Sequence, residues 1–97
     1  NMDSVYFCKQ EIGKDVASIL KEDNFRHISG IVRDSSNPER KGYFLYAQTT
    51  LEDMKLLGEK LKELGAEKVE GDEEKKIIDA IKAEEENAAS GMGMIFG

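Results

Sequence analysis

Apolar and polar positions alternate between two periods along this chain, and the switches between them mark the elements. Ser4 to Lys9 (SVYFCK) is a short apolar run of strand type. From Gln10 to Asp23, Ile12, Val16, Ile19 and Leu20 recur at helical spacing, which predicts a first helix. Gly13 weakens its first turn by about 1 kcal/mol relative to alanine. Phe25 to Asp34 (FRHISGIVRD) returns to an imperfect alternation and reads as a second strand, with Gly30 marking a bulge or a close approach. The polar loop Ser35 to Lys41 (SSNPERK) holds the only proline. Tyr43 to Gln48 is a third strand, forming a hairpin with the second. Thr49 and Thr50 then offer capping oxygens, each with an acid three residues on, Glu52 and Asp53. The second helix carries Leu51, Met54, Leu57, Leu61 and Leu64 on one face and stops at Gly65. A short edge strand is expected around Val69. Asp72 caps a third helix with Ile77, Ile78 and Ile81 on one face, ending near residue 90. The segment 91–97 (GMGMIFG) is an apolar tail.

The first six elements follow one another in an order that resembles the ferredoxin-like βαββαβ plan, an α+β fold with an antiparallel sheet and two helices on one face. The reading is a single domain over 2–97: a core at 2–70, an extra helix at 72–90 and a tail at 91–97. The second sheet face must be solvated, paired with another copy, or covered by the third helix or the tail. The expected core is Val5, Phe7, Val16, Ile19, Leu20, Ile28, Val32, Phe44, Tyr46, Met54, Leu57, Leu61, Leu64, Ile77 and Ile81. A shift of strand parity by one residue exchanges the two sheet faces.

Composition narrows function by exclusion. The 97 residues suffice for one core. Asn1 ahead of Met2 reads as a remnant and stands outside the fold expectation. No secretory signal pattern and no membrane-length apolar run occurs, and Cys8 has no second cysteine to pair with, so a cytoplasmic location is expected. Residues 1–48 carry seven bases and seven acids; residues 49–97 carry seven lysines and thirteen acids, the whole of the net charge of −6. This balance argues against nucleic acid as a partner. A charged fraction of 35%, mostly Glu and Lys, with no tryptophan resembles thermophile usage.

Candidate chemistry is sparse. His27 is the only histidine and Cys8 the only thiol, so no metal site and no nucleophile–base pair is expected. No catalytic residue and no cofactor-binding residue is assigned. In the loop 34–42, Ser36, Asn37, Arg40 and Lys41 could hold an anion or a small ligand with His27 nearby, or form an ordinary turn. The acids Glu70, Asp72, Glu73 and Glu74 lack calcium-loop spacing and suit a solvated helix start.

Two segments resemble known families. KGYFLYAQ at 41–48 and VYFCKQ at 5–10 resemble the two signature strands of RNA-recognition motifs, departing at Phe44 and Leu45. The resemblance implies base stacking on Tyr6 and Tyr43, flanked by Arg40 and Lys41; the plainer reading is that these aromatics are core. AEEENAASGMGMIFG at 83–97 resembles the tails of archaeal acidic ribosomal stalk proteins, although 2–82 does not resemble their helical dimerisation domain. This second resemblance implies that Met92, Met94, Ile95 and Phe96 bind a protein partner, as a helix laid in a groove of a translational GTPase. The alternative is a plug that completes the core. The expectation overall is a small, acidic, non-enzymatic module that binds a protein or itself.

Overall fold

The computed structural model describes the backbone of residues 1–96 and the side chains of residues 1–87. Strand β1 (Met2–Lys9) leads through a 3₁₀ turn (Gln10–Ile12) into helix α1 (Gly13–Leu20). Strands β2 (Ser29–Asp34) and β3 (Gly42–Thr49) form a hairpin. Helix α2 (Leu51–Glu63), the short strand β4 (Glu67–Val69) and helix α3 (Gly71–Phe96) follow. The four strands make one sheet in the order β2-β3-β1-β4, and every neighbouring pair is antiparallel. The chain is therefore α+β, with three helices packed about a four-stranded antiparallel sheet. Among the described residues, no helix is long and apolar enough to cross a membrane.

Both faces of the sheet are apolar, and each is covered. Tyr6, Cys8, Leu45 and Ala47 face α1 and α2, where they meet Val16, Ile19, Met54, Leu57 and Leu61. Val5, Phe7 and Tyr46 face the other way and meet Ile81, with Phe44, Ile31, Ile77 and Ile78 around them. The face opposite α1 and α2 is thus closed by α3. Each large aliphatic side chain buried in this way contributes roughly 1.5–3 kcal/mol. Two covered faces explain why adjacent residues along β1 are all buried and why their run looks continuous rather than alternating.

The start of α2 is as its sequence implies: the Thr50 hydroxyl accepts from the Asp53 backbone N–H at 3.3 Å. Leu51, placed by spacing on the buried face, is instead 53% exposed at the first helical position. The stretch before β2 also differs from expectation. Helix α1 ends at Leu20, and residues 21–28 wind through tight turns in which the Phe25 and Arg26 N–H groups both donate to the Glu22 carbonyl. The polar run Lys21–Asn24 favours turns over a longer helix. Phe25, expected in a strand, plugs the α1–α2 core at 2% exposure. Val32, expected in the core, is 55% exposed, because β2 is an edge strand and the helices do not reach over it. Helix α3 continues to Phe96, past the residue-90 limit suggested by Ser90 and Gly91.

One helix–sheet contact is unusually close. A Cβ built on Gly58 of α2 would lie 2.6 Å from the Tyr6 hydroxyl oxygen. Gly58 costs helix propensity, about 1 kcal/mol against alanine, and permits α2 to sit on the Tyr6 ring. Gly58→Ala should therefore destabilise the protein by about 1–3 kcal/mol in urea unfolding despite its better propensity. Tyr6→Phe in the same chain should recover most of that loss. A single Gly58→Ala chain more stable than the parent would show the approach to be unimportant.

Candidate functional site

The residues with candidate chemistry are placed in three separate regions. Tyr6 is 4% exposed beneath α2, and Tyr43 stands on the same face, packed against the same core. Stacking of bases would need both rings on an open face, so the platform implied by the RNA-recognition resemblance is absent. The register explains the placement: β1 and β3 pair Tyr6 with Leu45 and Cys8 with Tyr43, which puts all four on the α1–α2 side.

The hairpin loop is a self-satisfied turn. The Asn37 backbone N–H donates to Ser35 Oγ at 3.3 Å, the Glu39 N–H donates to Asn37 Oδ1 at 3.0 Å, and the Arg40 N–H donates to the Asn37 carbonyl at 3.0 Å. The oxygens of Ser35 and Asn37 are thus committed to the loop's own backbone. Open clefts of about 400 Å³ and 500 Å³ flank it, one holding Lys41 and Tyr43, the other Arg40, Phe44, Glu73 and Ile77.

Arg40 turns inward from this loop. Its guanidinium carbon lies 4.1 Å from the centre of the Phe7 ring, and Phe7 packs tilted on Phe44 with centroids 5.3 Å apart. Nη2 donates to Glu67 Oε2 at 2.8 Å, and Nη1 lies 3.6 Å from Glu73 Oε2. A guanidinium held by an aromatic face and two carboxylates has little left for a phosphate. Arg40, assigned above to nucleic-acid binding, is instead a clasp joining β1, β4 and α3.

It belongs to a larger seam. Around the apolar stripe of α3, Arg33 Nη2 meets Glu84 Oε1 at 2.7 Å, Lys82 Nζ meets Asp3 Oδ2 at 3.5 Å, and Lys68 Nζ pairs with Glu74. Glu74 Oε2 also accepts from the Val5 backbone N–H at 3.2 Å. This N–H points toward β4, and the carboxylate supplies its acceptor. Of the acids read from sequence as a solvated helix start, Glu70 and Asp72 are exposed, whereas Glu73 meets Arg40 and Glu74 is bound to the sheet. The helix begins at Gly71, so Asp72, expected as its cap, lies inside the first turn, and two glutamates beside it that face Arg40 and Lys68 are not separable by spacing from an ordinary acidic first turn.

His27 lies in the turn before β2 and its Nε2 is 2.8 Å from Asp53 Oδ2 on α2. The pair is solvent-facing and lines none of the clefts described. Among the described residues no cluster of three His, Cys, Asp or Glu side chains could hold a metal ion. Met92, Met94, Ile95 and Phe96 lie outside the residues whose side chains are described.

Burial also sets the titration of the buried polar groups. Desolvation pushes the Cys8 thiol up to about 11, against a smaller opposing effect of the Tyr43 hydroxyl. Tyr43 is pushed up to about 12 by burial and by its Cys8 neighbour. Tyr46 reaches about 12 through burial, with the Asp3 and Glu85 carboxylates adding to it. A folded-state value raised above the unfolded one stabilises the fold fully below the unfolded value, and that stabilisation is lost as pH rises through the folded one. The native Cys8 should resist a disulfide reagent at about pH 8 and react only on unfolding. Tyrosinate absorbance should appear together with loss of the circular dichroism signal between pH 10 and about 12; tyrosinate forming at pH 10 in a chain that stays folded would contradict this.

No family model matches the chain, and neither a curated protein nor a solved structure shows significant similarity to it.

Proposed function

We propose that this chain is a non-catalytic protein-docking module on the ferredoxin-like plan, and that α3 presents the segment 83–97 to a protein partner. The strand order β2-β3-β1-β4, with β1 and β3 central and all neighbours antiparallel, supports the plan. The observation that carries the docking role is that α3 runs on to Phe96. Both sheet faces are occupied by the chain's own helices, so a partner has no open sheet face to bind. Beyond Glu85 the sequence offers Met92, Ile95 and Phe96 at i, i+3 and i+4, the anchor spacing of a helix that enters an apolar groove. Glu86 precedes the anchors and suits a groove with basic residues at its rim. A groove of this kind on a translational GTPase is the partner implied by the resemblance to stalk-protein tails.

The test is calorimetric titration of the chain into a translational GTPase, with Ile95→Ala/Phe96→Ala as the variant. The expected result is a loss of at least about tenfold in affinity, about 1.4 kcal/mol, with an unchanged urea midpoint. Equal binding by parent and variant would overturn the reading. So would a lowered midpoint, which would mean that these side chains complete the chain's own core.

A further inference from the structure

The strongest unassigned feature is the outer edge of β2. It is one of two sheet edges, and the other, β4, has three residues against six. Natural edge strands are usually blunted by proline, lysine, a bulge or shortness. Ser29–Asp34 (SGIVRD) has neither proline nor lysine. Its ladder to β3 runs unbroken from Ser29 opposite Gln48 to Asp34 opposite Tyr43.

The direction of its backbone groups follows from the hairpin. The Ser35 N–H donates to the Gly42 carbonyl at 2.9 Å, so Ser35 and Gly42 form a hydrogen-bonded pair. Pairs of this kind alternate along an antiparallel ladder. Ser29, Ile31 and Arg33 therefore turn their N–H and C=O groups toward β3, and Gly30, Val32 and Asp34 turn theirs outward. These three outward residues are all exposed. Val32 is the most exposed of the large apolar side chains in the described part of the chain, at 55%.

We propose that β2 pairs antiparallel with β2 of a second copy of this chain, about a two-fold axis at Val32, so that two four-stranded sheets become one. The register is set by the sequence. With the axis at Val32, Gly30 lies opposite the partner's Asp34 and Val32 lies opposite its own symmetry mate. All three are outward-facing residues, and the pairing forms about six backbone hydrogen bonds. The two Val32 side chains meet on one face, where β-branched pairs are favourable, and no like charges stand opposite each other. An axis at Asp34 would set the two Asp34 carboxylates against each other. An axis at Gly30 would leave only Ser29–Ile31 overlapping, because β2 begins at Ser29. A two-fold edge of this type is self-complementary and closed, which limits assembly to the dimer.

Sedimentation equilibrium of the full chain tests the proposal, with Val32→Lys as the edge variant and Leu56→Lys as a charge-matched control on the exposed side of α2. The parent and Leu56→Lys should sediment as two chains. Val32→Lys should associate at least about tenfold more weakly. Amide exchange gives an independent reading. In the parent, Gly30, Val32 and Asp34 should be protected although they lie at an edge. In Val32→Lys, Gly30 and Asp34 should lose protection while Ile31 and Arg33 keep theirs, which separates loss of the dimer from melting of β2. A parent chain that stays monomeric at about 1 mM, or a Val32→Lys chain as dimeric as the parent, overturns the proposal.

Discussion

A sheet with apolar residues on both faces folds only if both faces are covered, and in this chain the second cover is α3. Remove it, and Val5, Phe7, Phe44 and Tyr46 stand in water. The described side chains of α3 answer that requirement. Ile77, Ile78 and Ile81 supply the apolar contact. The charges around them orient the helix, because bases on the strands and the hairpin loop meet helix acids at Arg33–Glu84, Arg40–Glu73 and Lys68–Glu74, and the pair Asp3–Lys82 runs the opposite way. Exposed pairs of this kind are individually weak, about 0–1 kcal/mol. Their collective effect is on which way round the helix lies, since a flipped or shifted α3 would set like charges together.

This docking also changes the meaning of the charge distribution. The acidic excess of residues 49–97 is visible in the sequence as a repulsive half. Part of it is spent inside the molecule, neutralising bases on the strands and the hairpin loop. Arg40 belongs equally to this seam, and its position over Phe7 between two carboxylates makes it a structural cation rather than an exposed one.

The β3–α2 unit was legible from residue pattern alone, because strand, cap and amphipathic helix are local signals that agree at Thr50 and Asp53. The helical periods of α1 and α3 were legible for the same reason. What was not legible depended on contacts distant in sequence. Val5–Cys8 and Tyr43–Ala47 carry apolar side chains on both parities, so periodicity could not say which set meets which helices. Phe25 looked like a strand residue because its immediate neighbours hide the turn bonds to Glu22. Val32 looked like core because edge position is a property of strand order, not of local sequence. The candidate site was less legible still: Tyr6 and Tyr43 have the composition of a stacking surface, and only the register shows them facing α1 and α2.

The Glu74 carboxylate reaches the β4 side of β1, taking the Val5 N–H while pairing with Lys68. One carboxylate at the first turn of α3 thus holds β1 through the Val5 backbone and β4 through Lys68, so the start of the helix and that edge of the sheet are tied at a single side chain.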